Sequence, residues 1–315
     1  MNPAWSRRTF IKAASLTPVG AWAGLAARDA SAQQPIERLG GPKIKLSVNA
    51  YSFNTLLREG EMDLFDFLEY CAQEGFDAAD PTGYYWPPGY PEVPSDADIS
   101  ELKLRAHHLG LAFSGTGIRN DFTRADAASR EEDIELTKRW IDAAVKMGAP
   151  VIRVFAGHAW DEAEEDWDHV AEERVAPAFR ECAAYGEERG VIVAVQNHAH
   201  FLRSAGDILR IMELVDSPWF GLVCDTGSFT TPAPYDDIAQ VIPYTVNWQL
   251  KEQIYDGADG RERIDLVRLM EIVREQGYRG YIPLETLPSG EEPYDPHTQL
   301  RAFAAEVREA IAETA

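Results

Sequence analysis

Polar side chains that could bind a cation or move a proton follow four successive apolar runs in the second half of the chain. The runs read VIVAVQ, GLVCD, VNWQLK and YIPLE, and they contain Gln196, Asp225, Gln249 with Lys251, and Glu285. Amide and carboxylate oxygens are ligands that divalent cations accept. A carboxylate beside such a cation can also take a proton from carbon. Chance could end one or two strands in polar residues, but four in succession favour one shared site.

The first of these runs has the composition of a strand that is buried on both faces. Residues 191–195 are all apolar and follow Gly190, as in the strands of parallel sheets. Because side chains alternate along a strand, Gln196 and His198 point the same way. His198 is therefore a candidate for binding a substrate hydroxyl or for returning a proton near neutral pH. The alternative is a histidine that only supports its neighbours by hydrogen bonds.

Two basic residues belong to the same set of candidates. Lys251 faces the same side of its strand as the polar residue two positions earlier, and it could donate a proton or stabilise a developing oxyanion. Its alternative role is an ion pair at the rim, with Glu252 or Asp256. Arg153, in the run VIRVF, points inward if its strand has the expected parity, and a buried charge has to be paired. It would then contact Glu285 or a substrate oxygen; facing outward, it would join a helix to the sheet.

Loops after the predicted strands supply further candidates for substrate contact. His158 and His200 lie in such loops, and we assign both to substrate contact rather than to ligation. Trp86 begins a loop rich in proline and tyrosine, and its ring suits stacking on the apolar face of a sugar ring. Other aromatic residues of the predicted loops share this property: Phe53, Tyr84, Tyr85, Tyr90 and Trp160.

Apolar runs and amphipathic segments alternate along the whole chain from residue 43. Strands are predicted over 44–53, 76–85, 111–118, 151–155, 191–196, 221–225, 246–251 and 281–285. Helices are predicted over 63–74, 96–109, 127–147, 166–189, 205–215, 236–242, 264–276 and 297–312, and glycines at 75, 110, 148, 190 and 277 follow five of them.

Eight strand–helix units predict an α/β fold, a (β/α)8 TIM barrel that forms a single domain over residues 43–315. Catalytic groups of such barrels lie at the carboxyl ends of the strands, where the four polar residues occur. The alternative, an open doubly wound sheet, would carry a glycine-rich phosphate-binding loop, and this sequence has none.

The N-terminal segment has the features of a twin-arginine export signal. Arg7 and Arg8 precede a modest apolar stretch that ends in Ala30-Ser31-Ala32, which predicts a signal over residues 1–32, a short, poorly ordered lead-in over 33–42 and a periplasmic protein. The alternative is an amphipathic first helix with a chance arginine pair. No later segment has the length and apolar composition of a membrane span.

The predicted mature chain is strongly acidic. It keeps 283 residues, 26 basic and 51 acidic, because the signal holds four basic residues and one acidic residue; the formal net charge is −25. This charge opposes binding to nucleic acid or to an anionic membrane. It also disfavours a highly phosphorylated substrate unless cations cluster locally. Three widely spaced cysteines indicate buried single thiols rather than disulfides or a thiolate metal site.

The segments VIRVFAG, VAVQNH, CDTGSF, NWQLK and YIPLE together resemble the sugar isomerase/epimerase superfamily of xylose isomerase-like barrels. The resemblance extends from about Lys43 to the C-terminus. It implies one divalent ion (Mn, Co, Zn or Mg) held by four ligands, in a family whose members place Glu, Asp, His and Glu there. The ligands matched in this chain are Gln196, Asp225, Gln249 and Glu285.

Two of these ligands depart from the usual set. Hydroxypyruvate isomerase-like members also place Gln at the position of Gln249. Gln196 is the larger departure, since an amide lowers the total ligand charge from −3 to −2, binds a metal more weakly and cannot act as a base. The resemblance thus leaves Glu285 as the principal base.

The resemblance implies a metal-dependent sugar isomerase or epimerase that acts on a non-phosphorylated keto sugar or polyol. Glu285 would take a proton next to the metal-polarised carbonyl, assisted by Lys251 and His198. One alternative is a lyase that eliminates a group β to the ketone of a 3-keto glycoside. The other is a catalytically inactive barrel that binds a sugar, which Gln196 supports. A homo-oligomer is compatible with all three.

Overall fold

The alternation of apolar runs and amphipathic helices folds the chain into a ring of strand–helix units. The computed structural model describes residues 34–198, 201–257, 260–288 and 293–315, so the predicted signal and His200 lie outside the described residues. The fold class predicted from the sequence is confirmed: this is an α/β barrel of parallel strands in one domain.

Nine short parallel strands form the barrel wall, and two antiparallel strands form a hairpin at its rim. In chain order the strands are β1 Lys43–Asn49, β2 Ala78–Asp80, β3 Ala112–Phe113, β4 Thr116–Gly117, β5 Val151–Phe155, β6 Ile192–Gln196, β7 Phe220–Asp225, β8 Thr245–Lys251, β9 Gln253–Tyr255, β10 Arg261–Arg263 and β11 Arg279–Glu285. The wall runs β3-β2-β1-β11-β8-β7-β6-β5-β4, and the hairpin consists of β9 and β10.

The nine strands correspond to eight units because the third unit is split. Ala112–Phe113 pairs with β2 and Thr116–Gly117 pairs with β5, so the chain itself joins the two ends of the sheet across Ser114 and Gly115. A Cβ on Gly115 would lie 2.8 Å from the Asn247 amide nitrogen, and one on Gly117 would lie 2.8 Å from Nε of Arg153. These two glycines of the third unit therefore leave space in the barrel interior for the polar side chains of Asn247 and Arg153.

Ten α-helices surround the barrel in the part of the chain that the structure describes. In chain order they are α1 Asn54–Glu59, α2 Leu64–Gln73, α3 Asp96–His108, α4 Ala127–Met147, α5 Trp167–Val170, α6 Ala176–Arg189, α7 Ala205–Val215, α8 Pro234–Val241, α9 Leu266–Glu275 and α10 Pro296–Glu313. A π-helical turn, Ala171–Val175, joins α5 to α6. The five glycines predicted to end helices all have positive φ, between 66° and 84°.

The predicted elements and the observed ones differ most near the first two strands. The segment predicted as one strand over 44–53 becomes β1 followed by a 3-10 turn, Ala50–Phe53, and α1 was not predicted. The strand predicted over 76–85 shrinks to Ala78–Asp80, because Pro81 cannot donate to a sheet and the chain then enters a 3-10 turn. The rim hairpin was also not predicted.

The barrel interior changes from apolar to polar along its axis. Val151, Ala194 and Val223, on three neighbouring strands, form a small apolar cluster separate from the main core. Nearer the carboxyl ends, the buried side chains are polar or charged, and they include Ser47, Asn49, Asp80, Ser114, Arg153, Asn247, Gln196, Asp225, Gln249 and Glu285. A buried polar group has to be hydrogen-bonded, so this end of the barrel must organise its donors and acceptors.

The described part of the lead-in before β1 contacts the barrel through Arg38. Arg38 donates to the carbonyl oxygens of Ile242 and Thr245, and its guanidinium lies 5.1 Å from the ring centroid of Tyr278. These contacts lie at the amino-terminal end of β8 and before β11, opposite the polar end of the barrel.

The three cysteines are free and buried, as predicted.

Among the helices that the structure describes, none combines the length and the apolar composition required to cross a membrane.

Candidate active site at the carboxyl ends of the strands

The four predicted ligands lie together at the carboxyl end of the barrel. Strand pairing places Asp225 beside Gln249 and Glu285 beside Lys251, while Gln196 ends the strand next to Asp225. The Gln196 amide nitrogen donates to Asp225 Oδ2 at 2.7 Å, and the Gln249 amide nitrogen donates to Glu285 Oε2. The sequence therefore located these residues correctly, and their contacts make one cluster.

Lys251 lies at the centre of this cluster. Its Nζ donates to Glu285 Oε1 and lies 3.7 Å from Asp225 Oδ2, so the predicted alternative of a rim ion pair with Glu252 or Asp256 is not what the structure shows. Burial alone would lower the pKa of Lys251, but the Asp225 and Glu285 carboxylates outweigh it and hold that pKa above its ordinary value. Lys251 is thus a buried cation shared by two carboxylates.

Glu285 has the environment that a carbon base needs. It is 2% exposed, and burial raises the pKa of its carboxyl although Lys251 opposes the shift. A carboxylate that is destabilised by burial accepts a proton more readily at neutral pH than an exposed one.

A cavity of about 510 Å³ opens above the cluster, which is large enough for a monosaccharide. Its lining combines the predicted polar residues with aromatic and basic ones: Tyr51, Asn54, Arg58, Tyr84, Tyr90, Arg119, Arg153, Phe155, His158, Gln196, His198, Gln249, Lys251, Glu285 and Leu287. A second cavity of about 560 Å³ shares His198, Lys251, Glu285 and Leu287 with it, and Asp225 lines this second cavity. The cluster therefore forms the floor between two connected spaces.

His198 presents an unpaired nitrogen to this region. Within the described ranges its buried Nδ1 has no hydrogen-bond partner, and its ring centroid lies 4.9 Å from that of Phe155 and 5.3 Å from that of His158. Burial lowers the pKa of His198 to about 4, so the imidazole is neutral at pH 7. Of the two roles predicted for His198, the contact to a substrate hydroxyl fits this state better than the return of a proton.

Arg153 points into the barrel, as the expected parity requires. Its guanidinium donates to the Ile118 carbonyl oxygen and to the Tyr84 hydroxyl at 3.1 Å, and it lies 4.3 Å from the Phe155 ring centroid. Within the described residues, no carboxylate lies within ion-pair distance of it, so the predicted direct pair with Glu285 is not formed. Arg153 thus remains available for a substrate oxygen.

Of the other residues predicted to contact a substrate, His158 lies at the cavity and Trp86 does not. His158 lines the cavity, and its backbone nitrogen donates to Asp121 Oδ2 at 3.0 Å. Trp86 is 2% exposed and packs in the main hydrophobic core, so its prediction as a stacking residue is wrong. The phenyl and phenol rings that line the cavity belong instead to Tyr51, Tyr84, Tyr90 and Phe155, while Trp86 is turned inward to cover the core.

The contacts at the cluster do not fit the predicted divalent ion. An ion held by the four residues needs an oxygen from each one directed at a common point. The amide nitrogens of Gln196 and Gln249 face the carboxylates instead, while both amide oxygens are buried and have no hydrogen-bond partner among the residues that the structure describes. The Lys251 ammonium also lies between the carboxylates, so an ion shared by them would have to displace it.

A different group of carboxylates has metal-like spacing. Glu131 and Glu135 on α4 and Glu181 on α6 place oxygens within 4.8 Å of one another, but all three are exposed on the outside of the barrel. Lys138 Nζ lies 2.6 Å from both Glu135 and Glu181 and neutralises much of their charge. This cluster lies on the helices and not at the strand ends, and we assign no role to it.

Basic residues cluster in the cavity despite the acidic chain. Arg58 and Arg119 join Arg153 in its lining, and none of the three forms an ion pair with a carboxylate in the part of the chain that is described. The sequence disfavours a highly phosphorylated substrate unless cations cluster locally. The three arginines form such a cluster, so the cavity also suits a substrate with an anionic group.

Asp80 is a site residue that the sequence analysis missed. It ends β2, is 4% exposed, and its Oδ2 accepts from the Asn247 amide at 3.4 Å. Burial raises the pKa of Asp80 to about 7, with Arg153 opposing the shift. Its position at a strand end was the available signal, but the predicted strand ran on to residue 85 and hid it.

We expect the Asp80→Asn variant to have a weaker pH dependence of stability than the wild type. The folded chain holds the Asp80 proton up to about pH 7, whereas an unfolded Asp releases it near pH 4, so wild-type stability falls as pH rises through this interval. In the wild type, this decrease in the free energy of unfolding should be on the order of 2–4 kcal/mol. The variant should not show it.

Urea unfolding at pH 4.5 and 8 measures this difference, and Asp216→Asn, at an exposed helix end where Asn also tolerates the left-handed backbone, is the matched control. Equal pH slopes for the wild type and the Asp80 variant would contradict the expectation.

The fold and the cluster at the strand ends identify the class of protein. It is a (β/α)8 barrel whose polar and charged side chains group at the carboxyl ends of the strands, where such barrels carry out catalysis. The chain belongs to the xylose isomerase-like TIM barrel family, whose model matches residues 68–309. No curated protein sequence matches the chain.

Solved structures with the same fold include named sugar epimerases. A D-psicose 3-epimerase from Clostridium cellulolyticum H10, crystallised with D-tagatose, has a TM-score of 0.70 and 19% identity, with 85% of this chain and 99% of that chain covered. A 3-keto-D-glucoside 4-epimerase from E. coli, in its apo form, has a TM-score of 0.67 and 16% identity, with 85% and 100% covered. At these identities the likeness concerns the fold.

Proposed function

We propose that this protein is a sugar isomerase or epimerase that acts on a keto sugar or related polyol. One observation carries the proposal: the Glu285 carboxylate contacts the Lys251 ammonium on the floor of a sugar-sized cavity. A base beside a cation can remove a proton next to a carbonyl and stabilise the resulting oxyanion. Family membership and the epimerases among the structures of similar fold support this reaction class.

The chain's own residues suggest a sequence of steps. Arg153 and the neutral His198 would hold substrate oxygens, and the rings of Tyr51 and Tyr84 would cover the sugar. Glu285 would then take the proton from carbon and return it to the neighbouring carbon or to the same one. The resemblance implies that a divalent ion polarises the carbonyl, but the proposal depends only on a positive charge beside Glu285.

Exchange with deuterated water tests the proposal. The mature chain is incubated with keto sugars, keto sugar acids and 3-keto glycosides in D2O, and products are followed by NMR. We expect deuterium at a carbon next to the carbonyl, with no loss of a leaving group. Release of an aglycone would favour the lyase alternative, and an absence of exchange across the panel would contradict both.

We also propose that the protein is exported to the periplasm through the twin-arginine pathway. The paired Arg7 and Arg8 and the Ala30-Ser31-Ala32 site support this proposal. Cell fractionation with the full chain and with an Arg7→Lys/Arg8→Lys variant tests it. The variant should remain in the cytoplasm; periplasmic recovery of both chains would contradict the use of this pathway.

A further inference from the structure

We infer that the ammonium group of Lys251 replaces the divalent ion in this site, so that the positive charge beside Glu285 belongs to the chain itself. The catalytic part of this inference rests on the proposed function; the part about metal binding does not.

The position of Lys251 is the first argument. Its Nζ contacts Glu285 and lies 3.7 Å from Asp225, and these are the two charged members of the predicted ligand set. Only 15% of its side chain is exposed. A Cβ on Gly227 would lie 2.9 Å from Lys251 Cγ, so the glycine leaves space for the lysine stem. The fold thus admits this ammonium to the centre of the cluster.

The two glutamines are the second argument. An amide offers a donor that a carboxylate lacks, and both glutamines use it toward a carboxylate. The observed orientation satisfies the carboxylates by N–H groups, while the two amide oxygens have no hydrogen-bond partner among the described residues.

Charge is the third argument. Asp225 and Glu285 carry two negative charges, and Lys251 cancels one of them. A divalent ion added to this cluster would meet the ammonium at short range and would be repelled by it. The replacement of a carboxylate by Gln196 removes the charge that would otherwise compensate both cations.

The reaction balances without a metal or a second reactant. A substrate carbonyl oxygen would accept a hydrogen bond from the Lys251 ammonium, and Glu285 would accept the proton from the adjacent carbon. The electron pair of the broken C–H bond forms a C=C bond, and the carbonyl oxygen takes the charge that Lys251 stabilises. Return of the proton from Glu285 to the neighbouring carbon, with transfer of that carbon's hydroxyl proton to the former carbonyl oxygen, completes an isomerisation. An epimerisation instead requires a proton from water on the opposite face of the same carbon, with Glu285 releasing its proton to solvent.

Metal binding by the mature chain tests the inference independently of turnover. Wild-type protein purified without chelator is analysed by inductively coupled plasma mass spectrometry and titrated calorimetrically with Mn²⁺ and Co²⁺. We expect substoichiometric metal, no saturable binding and an unfolding temperature that EDTA does not change. Stoichiometric metal, or an unfolding temperature that falls on EDTA treatment, would overturn the inference.

Two variants sharpen the test. Lys251→Met removes the ammonium, and the triple variant Gln196→Glu/Gln249→His/Lys251→Met also restores the ligands usual in the family. We expect Mn²⁺ affinity to rise at least about 100-fold from the wild type to the triple variant, with the single variant between them. If the triple variant fails to fold by circular dichroism, the single variant decides: Mn²⁺ affinity no higher than in the wild type contradicts the inference.

Failure of this inference and failure of the proposed function give different results. A wild-type chain that binds Mn²⁺ tightly and exchanges deuterium into sugars contradicts the inference alone. A chain that binds no metal and exchanges no deuterium contradicts the proposed function, while the replacement of the ion by Lys251 stands.

Discussion

The Glu285→Gln variant should lose turnover by about 10²- to 10⁴-fold, which is the usual contribution of a positioned general base. Glu285 is the carboxylate that contacts Lys251 on the cavity floor, and the neighbouring Gln196 is an amide that cannot act as a base. An amide at position 285 keeps the size and polarity of the side chain but cannot accept the proton. Deuterium exchange and product formation, each with saturating substrate, measure the loss.

The control for this variant is Glu275→Gln, which removes one exposed carboxylate near the end of α9 and should leave turnover unchanged. Substrate affinity, measured by calorimetry, should change by only a few-fold in Glu285→Gln, because the residue acts on the reacting proton. Turnover within tenfold of the wild type would exclude Glu285 as the base. If the wild type binds sugar without turnover and the variant binds equally well, the inactive sugar-binding alternative gains support.

The Lys251→Met variant should lose both activity and stability. Loss of a charge that stabilises a developing oxyanion typically costs about 10²- to 10³-fold in turnover. Removal of one partner from a buried ion pair costs about 3–5 kcal/mol, since the carboxylates of Asp225 and Glu285 lose the cation between them. Steady-state kinetics and urea unfolding at pH 7 measure the two effects.

The matched control is Lys146→Met, which removes an exposed lysine that pairs with Asp96 on the helical surface. Exposed pairs contribute little, so we expect less than about 1 kcal/mol from it and no kinetic change. If Lys251→Met unfolds at the same urea concentration as the wild type, the ion pair is not a buried one in solution. If its turnover is also unchanged, Lys251 is not the cation of the reaction.

The sequence predicted the barrel because the signals for it are local and repeated. Apolar runs of strand length, amphipathic helices and a glycine after five helices each depend on neighbouring residues, and these features agree with the structure. Where a local signal was ambiguous, the prediction was wrong: an apolar stretch suggested a strand over 76–85, but Pro81 limits β2 to three residues and so exposes Asp80 as its end.

Exposure of loop residues depends on contacts that no local pattern reports. Trp86 has the composition of a stacking residue, yet its loop buries it in the core and leaves Tyr51, Tyr84 and Tyr90 at the cavity. Arg58 comes from α1 and Arg119 from the loop after β4, and they join Arg153 only because the barrel closes. The overall charge of the chain therefore did not predict the charge of its cavity.

The sequence by itself determined which residues reach the active end of the barrel, since side chains alternate along each strand and ligands gather at the carboxyl ends of parallel strands. Gln196, Asp225, Gln249, Lys251 and Glu285 are all found there. Only the tertiary structure decided which of these side chains contact one another. The pairs Gln196–Asp225 and Lys251–Glu285 are 29 and 34 residues apart in the chain, and their contacts depend on the stagger between neighbouring strands. That stagger brings the lysine, and not only the oxygen ligands, to the centre of the site.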